Sequence, residues 1–125
     1  MAVNTGFPDP LHLTVGAVSN GGTIPNYLGL TEIDPAAPSG FSVTLPPITG
    51  TAPNPSIIQG ALLYLRNSGA NTGTVVPSGT DRIWTSNGIG ALTALTVPAT
   101  TNLTFYVDKF NGRWKLICEC NISLT

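Results

Sequence analysis

Polar and apolar residues alternate with a period of two in several short stretches of this chain. The longest such stretch covers residues 113–124. Every second residue of that stretch is apolar, namely Trp114, Leu116, Cys118, Cys120, Ile122 and Leu124. Residues two apart in an extended strand point to the same face. The pattern therefore predicts a long final strand that lays these residues on the core, with both cysteines buried. The geometry of two residues that far apart in a strand does not favour a disulfide between Cys118 and Cys120. The alternatives to burial are a reactive thiol and an intermolecular bond.

Shorter alternating or apolar stretches, bounded by Gly, Pro and Asn, predict the other strands. They cover residues 11–18, 23–31, 41–45, 57–67, 72–76, 80–85, 92–97 and 102–107. The dipeptides Asn20-Gly21 and Asn87-Gly88 suit the positive φ angles of tight hairpin turns, so we expect the first two strands to pair back on each other. The stretch 57–67 also has helical spacing, but its short apolar run and Tyr64 favour a central strand buried on both faces.

Short strands separated by turn signals along the whole chain are typical of an all-β sandwich or barrel. We expect a single jelly-roll-like sandwich, or a small barrel, of about eight strands over residues 11–125. Residues 1–10 have no period, and Pro8 and Pro10 restrict them to an extended path. They predict an extended N-terminal arm. No internal repeat or domain boundary interrupts the chain.

The composition indicates a folded domain with an unusually uncharged surface. Only 9% of the residues are charged, and the net charge is −1, whereas an average domain has about 25% charged residues. Abundant Val, Ile, Leu and Thr argue against disorder. Because the cores of interfaces are depleted of charge, this composition favours a surface that protein partners cover.

Nucleic acids and membranes are not expected partners. Phosphate binding requires clustered Lys and Arg, and the basic residues of this chain are spread along the sequence from Arg66 to Lys115. No apolar stretch approaches the ~20 residues that span a bilayer. The N-terminus also lacks the basic start and apolar run of a signal peptide.

The titratable residues form no recognisable catalytic or metal-binding pattern. His12 is the only histidine, and a Ser/His/Asp triad or a typical zinc site would require it. We interpret it as a surface or interface residue. Glu32 and Asp34 are close enough for paired-carboxylate chemistry, but Asp34 precedes Pro35 and the pair opens a predicted loop. We therefore expect no catalytic residue, metal or cofactor, and no enzymatic activity.

Two aromatic residues and the arm are the candidate partner-binding sites. Trp84 shares a predicted face with Arg82. Tyr106 lies opposite the apolar residues of its strand, Leu103, Phe105 and Val107. We expect both aromatic side chains to be buried between subunits, with a binding surface for sugars or bases as the alternative. The candidate contact residues of the arm are Val3, Asn4, Phe7 and Pro8.

Several motifs resemble those of small β-domains in the structural proteins of tailed phages. Three of them are Val43-Thr44-Leu45-Pro46, Leu63-Tyr64-Leu65-Arg66-Asn67-Ser68-Gly69 and Val75-Val76-Pro77-Ser78-Gly79-Thr80-Asp81-Arg82-Ile83. Two later ones are Phe105-Tyr106-Val107-Asp108 and Asn111-Gly112-Arg113-Trp114-Lys115-Leu116-Ile117. The resemblance covers residues 41–117. Domains of this kind occur in capsid decoration (cement) proteins and in fibre or tail-spike modules.

The resemblance implies a structural role. A decoration protein would be made in the cytoplasm of the bacterial host and would bind the major capsid protein on the exterior of the virion, as a homotrimer. Fibre modules are usually C-terminal pieces of long chains, whereas this chain begins with Met and an arm. A decoration protein is therefore the expected form. The alternative is a fibre or tail module that binds glycans or the host surface through loops around residues 46–55 or 84–90.

Overall fold

The computed structural model describes residues 14–25, 29–48, 59–85 and 90–121. Within these ranges the chain forms nine strands and one 3-10 turn, η1. In chain order they are β1 (Thr14–Val18), β2 (Gly29–Ile33), β3 (Ser42–Thr44), β4 (Leu62–Asn67), β5 (Gly73–Val76), β6 (Arg82–Trp84), β7 (Leu95–Val97), β8 (Thr101–Asp108), η1 (Lys109–Asn111) and β9 (Arg113–Asn121). The predicted all-β fold is confirmed.

The strands form two sheets that enclose one core. The large sheet has six strands in the order β1-β2-β4-β8-β9-β6, and the small sheet has three in the order β3-β5-β7. A single cluster of buried apolar side chains takes Leu65, Phe105 and Trp114 from the large sheet and Val43 and Val75 from the small one. The described strands therefore form a sandwich, and the burial of this cluster is the main favourable contribution to folding.

Strand pairing is mixed rather than uniformly antiparallel. The pairs β1–β2, β2–β4, β3–β5 and β6–β9 are parallel, whereas β4–β8, β5–β7 and β8–β9 are antiparallel. This pairing departs from the antiparallel connections of a jelly roll. The predicted hairpin between the first two strands is wrong, because Thr14 pairs with Gly29 and Val18 with Ile33 in parallel register.

The Asn20-Gly21 turn is present, but it leads the chain to the small sheet. Gly21 has a φ of 85°, the positive value that such a turn requires. Beyond the turn, Thr23 forms a parallel bridge with Thr44. The side-chain oxygen of Asn20 accepts a hydrogen bond from the backbone N–H of Ser42 at 3.0 Å. Hydrogen bonds to β3 thus take the place of the local hairpin.

β4 lies in the interior of the large sheet, as predicted, but it is buried on one face only. Its core side carries Leu63 and Leu65, which are fully buried. On its other side Tyr64 and Arg66 are half-buried, and Leu62 is 36% exposed. The prediction of two buried faces is wrong because the small sheet packs against only one side of the large sheet.

A β-bulge interrupts β9. The pairing with β8 runs from Phe105–Leu116 directly to Thr104–Cys118, so Ile117 has no residue opposite it. One extra residue in a strand reverses the side-chain alternation beyond that point. The predicted alternation therefore holds from Arg113 to Leu116 and is inverted from Cys118 onward.

The bulge overturns two predictions about the final strand. Trp114 is fully buried on the core face, as expected. Cys118 and Cys120 instead point to the opposite face, where Cys118 is half-buried and Cys120 is exposed. The predicted continuous core face and the predicted burial of both cysteines are thus wrong. Ile122 and Leu124 lie outside the described residues.

Other predictions also fall on residues outside the described ranges. They concern the arm of residues 1–10 with Val3, Asn4, Phe7 and Pro8, the single histidine His12, and the Asn87-Gly88 turn. The loop that follows Pro46 is described only as far as Ile48.

Candidate partner-binding face

The side of the large sheet that points away from the small sheet is called the outer face here. Cross-strand register arranges its side chains in rows. One row contains Val15, Leu30, Tyr64, Thr104 and Cys118. The next contains Ala17, Glu32, Arg66, Asn102 and Cys120. A third contains Leu62, Tyr106, Lys115 and Trp84. Aliphatic, aromatic and charged groups therefore lie side by side on this face.

The two aromatic residues predicted as contacts, Trp84 and Tyr106, lie in the same row. Lys115 is opposite Tyr106 across the β8–β9 pair and opposite Trp84 across the β6–β9 pair. Both aromatic side chains are half-buried in the single chain. The structure thus brings these two candidates together on one face. Their burial by another subunit remains a prediction.

Cationic groups lie against both aromatic rings. The guanidinium carbon of Arg113 is 4.3 Å from the centroid of the Trp84 ring. The ammonium nitrogen of Lys115 is 5.9 Å from the centroid of the Tyr106 ring. Cation–π contacts of this kind are worth about 0.5–1 kcal/mol at exposed sites. They place positive charge directly beside the apolar ring surfaces.

Asp108, at the end of β8, contacts the Lys115 side chain that lies against Tyr106. Its carboxylate accepts a hydrogen bond from the Asn111 amide at 2.9 Å and lies 3.6 Å from the Lys115 ammonium. The Gln59 amide approaches it at 3.5 Å. The hydrogen bond from Asn111, supported by Gln59 and Lys115, lowers the pKa of Asp108 in spite of the opposing effect of burial. The ionised carboxylate therefore restrains Lys115 at neutral pH.

Positive charge is concentrated on the outer face. Four of the five basic residues of the chain project from it, namely Arg66, Arg82, Arg113 and Lys115. Among the described residues, Glu32 and Asp108 are its acidic groups, so four positive charges and two negative charges leave a net +2. The whole chain, by contrast, has a net charge of −1. Basic residues that are dispersed in the sequence thus converge in space.

An open depression of about 340 Å³ lies on the part of the outer face formed by β2, β4, β8 and β9. It is lined by Leu30, Tyr64, Arg66, Asn102, Thr104 and Cys120. In the described part of the chain, the side-chain oxygen of Asn102 is buried and has no hydrogen-bond partner. The volume is near the lower end of small-ligand pockets, which span roughly 300–1,000 Å³. The depression is therefore large enough for a small ligand.

Cys118 and Cys120 form a thiol pair at the edge of this depression. Their sulfur atoms are 2.7 Å apart. Contact with the thiol of Cys120 is the main cause that raises the pKa of Cys118, and burial and the charge of Glu119 act in the same direction. The two residues are opposite Asn102 and Thr104 of β8. Both thiols are therefore held on a regular part of the β8–β9 pair.

Sequence reasoning singled out Trp84 and Tyr106 but not the other residues of the outer face. Tyr64 and Arg66 alternate with Leu63 and Leu65 in the sequence, and this alternation alone is sufficient to place them together on one face. The cysteines had no such signal. The bulge at Ile117 carries no Gly or Pro, so nothing local marks the point at which the alternation is inverted.

The acidic residues considered as a catalytic pair do not meet in a site. Glu32 lies in β2, not in the predicted loop, and its carboxylate is 3.8 Å from Arg66. Asp34 follows in a turn, where it accepts a hydrogen bond from the backbone N–H of Ala36 at 2.9 Å. Asp81 is fully buried and accepts a hydrogen bond from the backbone N–H of Ile48 at 2.8 Å. It therefore anchors the loop after β3.

No group of three or more His, Cys, Asp or Glu side chains within the described ranges is arranged to hold a metal ion. Those ranges also contain no helix with the length and apolar character needed to cross a membrane. No protein-family model matches the chain. No curated protein matches it significantly either. The functional proposal therefore depends on the outer face itself.

Proposed function

We propose that this chain is a structural virion protein of a tailed phage, most similar in role to a capsid decoration protein. In this role it is made in the cytoplasm of the bacterial host and binds the major capsid protein on the capsid exterior as a homotrimer. The observation that supports the proposal most is the row formed by Trp84, Lys115 and Tyr106 on the outer face. The proposal includes no catalytic residue, cofactor, nucleic acid or membrane.

The residue types in this row are those that dominate the energetics of protein–protein interfaces. Trp, Tyr and Arg are enriched among the residues whose truncation costs most binding energy. Trp84, Tyr106 and Arg113 are all half-buried in the single chain. A partner surface can therefore bury their remaining exposed area, and the contacts of the rings with Arg113 and Lys115 already restrict the side chains before binding.

The charge of the outer face defines the kind of partner surface that fits it. A net +2 on this face favours a capsid surface with an excess of carboxylates. Complementary charges raise the association rate more than the final affinity, and salt screens them. We therefore expect association with capsids to slow as the salt concentration rises.

The test is co-sedimentation of the full chain with shells assembled from the major capsid protein of the same genome. Trp84→Ala and Tyr106→Ala together should weaken retention by at least about thirtyfold, because the loss of even one hot-spot aromatic costs about 2 kcal/mol. Phe110→Ala is the matched control, since Phe110 is an aromatic residue in η1, off the outer face, and 83% exposed. Equal retention of the double variant and the wild type would contradict the use of this face.

Two further parts of the proposal have their own measurements. Deletion of residues 2–10 should weaken retention on shells without lowering the melting temperature, because an extended arm that lies along a neighbour adds backbone hydrogen bonds. Unchanged retention would show that the arm does not contribute to the interface.

Light scattering over a dilution series should give the mass of a trimer. The mass of a monomer at every concentration would contradict a homotrimer in solution.

A receptor-binding fibre or tail module is the second candidate, and the depression on the outer face favours it. An aromatic ring beside polar groups, as in Tyr64 with Arg66 and Asn102, suits the apolar and hydroxyl faces of a sugar. A glycan array probed with the wild type and with Tyr64→Ala separates the two functions. Binding that the substitution abolishes would favour the receptor-binding module, whereas a decoration protein should bind none of the glycans.

A further inference from the structure

The thiols of Cys118 and Cys120 are positioned for a reaction with each other. The bulge at Ile117 turns both side chains to the outer face, and their sulfur atoms are 2.7 Å apart. Such a distance means direct contact between the two thiols. Because Cys120 is exposed and Cys118 is half-buried, a small reagent in solution reaches the pair through Cys120.

The strand geometry places this pair at the limit of what a disulfide can span. Residues two apart in an extended strand have Cα atoms roughly 6.7 Å apart, and disulfides bridge Cα distances of about 4.4–6.8 Å. Most disulfides have Cα distances of about 5.5–6 Å, so an unstrained bond between Cys118 and Cys120 requires a small contraction of the backbone. The neighbouring Ile117 is not paired with β8, so the backbone on that side can adjust without breaking a regular part of the ladder.

We propose that Cys118 and Cys120 form a reversible redox pair that a small disulfide of the glutathione class oxidises by thiol–disulfide exchange. A disulfide that requires contraction of the strand is strained, and strained, exposed disulfides are readily reduced. The closed form is thus labile rather than a permanent cross-link. This inference does not depend on the proposed function.

The exchange takes place in two steps. The thiolate of Cys120 attacks one sulfur of the small disulfide, breaks its S–S bond and releases one small thiolate, which takes up a proton. Cys118 then loses its proton, and its sulfur attacks the Cys120 sulfur of the mixed disulfide and releases the second small thiol. Two protein thiols are oxidised and one small disulfide is reduced to two thiols. Cys120 reacts first because it is exposed, and because contact with Cys120 raises the pKa of Cys118.

The pair also borders the depression, since Cys120 is one of its lining residues. Closure of the disulfide moves the Cys120 sulfur toward Cys118 and changes that wall of the depression. The oxidised and reduced forms therefore present different surfaces beside Asn102 and Thr104, the residues opposite the cysteines.

The test treats the folded full chain with oxidised glutathione and follows free thiols and intact mass. We expect both free thiols to be lost, with a mass lower by two hydrogen atoms, no retained glutathione and no dimer. Mild reduction with dithiothreitol should restore both thiols. A stable mixed disulfide on the wild type, a disulfide-linked dimer, or two thiols that persist under oxidation would each overturn the proposal.

Single-cysteine variants and the unfolded chain test the order of the steps and the role of the fold. Cys118→Ser should accumulate the mixed disulfide, because Cys120 can start the exchange but nothing completes it. Cys120→Ser should react more slowly, and similar rates for the two variants would contradict the assigned order. At one fixed ratio of oxidised to reduced glutathione, the closed fraction should be smaller in the native chain than in urea, because the extended strand strains the disulfide. An equal or larger closed fraction in the native chain would contradict the strain.

Discussion

Replacement of each tryptophan by phenylalanine tests which side of the large sheet forms the core. The two residues lie on the adjacent strands β9 and β6 but point to opposite sides, because Trp114 pairs with Ile83 whereas Trp84 pairs with Lys115. Trp114 is fully buried and Trp84 is half-buried. The same chemical change is therefore made once in the core and once on the outer face.

The cost of Trp114→Phe can be worked out from its contacts. The indole N–H donates to the backbone oxygen of Pro46 at 3.3 Å, and loss of this buried hydrogen bond costs about 1 kcal/mol. The phenyl ring lacks two carbons of the indole besides its nitrogen, and their loss removes about 1.6 kcal/mol at about 0.8 kcal/mol per buried carbon. The edge-to-face contact with Phe105, at 6.4 Å between centroids, can persist. We expect a loss of about 3 kcal/mol in the free energy of unfolding.

The cost of Trp84→Phe should be much smaller. A phenyl ring still offers an aromatic surface to Arg113, whose cation–π contact is worth about 0.5–1 kcal/mol at an exposed site. Part of the indole also packs directly on Gly90, where an added Cβ would lie 2.1 Å from a ring atom. Because only part of this side chain is buried, we expect a loss of less than about 1 kcal/mol.

The assay is urea denaturation followed by circular dichroism and by the fluorescence of the remaining tryptophan. Trp114→Phe should lower the midpoint with an unchanged slope, and its melting temperature should fall by about 10 °C. In Trp84→Phe, the remaining Trp114 should be shielded from a soluble quencher. Equal losses of stability, or a larger loss for Trp84→Phe, would refute the assignment of the core to the side of Trp114.

Substitutions at three further positions test packing and charge within the sandwich. Gly73→Ala should cost about 1–3 kcal/mol, because the added Cβ would lie 2.4 Å from the ring of buried Phe41; an unchanged melting temperature would contradict that contact. Asp81→Ala should lower the free energy of unfolding by about 1–3 kcal/mol, because the Ile48 N–H loses its 2.8 Å hydrogen bond. Asp81→Asn should lower it less in the same denaturation assay, because the Asn side chain keeps an acceptor. In the folded chain, the pKa of Asp108 lies below its ordinary value of 3.8. The ionised Asp108 therefore stabilises the fold above pH 3.8, and this contribution is lost as the pH falls through the pKa of the folded state. The difference in stability between wild type and Asp108→Asn should therefore shrink on acidification, and a constant difference in denaturation curves across that range would contradict it.

The candidate face was only partly predictable from the sequence. Strand parity correctly placed Trp84 and Tyr106 off the core, because each alternates with buried neighbours in a regular strand. Parity cannot show that Lys115 lies between them, since that contact joins β6, β8 and β9. Arg113 reaches the Trp84 ring for the same reason. These neighbours come from different strands, and their contact depends on the order of strands in the sheet.

Local properties of the chain were determined by the sequence itself. The all-β class, the turn at Gly21 and the alternation of Ile83 with Trp84 follow from the period of two and from the backbone preferences of Gly, Asn and Pro. These depend on a few neighbouring residues, so the sequence is sufficient to predict them.

The tertiary structure decided which strands pair and which way the final thiols point. The turn at Asn20 leads to β3 rather than into a hairpin because its side chain and backbone bond to a strand about twenty residues away. The register between β8 and β9 leaves Ile117 without a partner. This single unpaired residue turns the side chains of Cys118 and Cys120 to the outer face. Both outcomes depend on hydrogen bonds between segments that are distant in sequence, which the pattern within one segment does not contain.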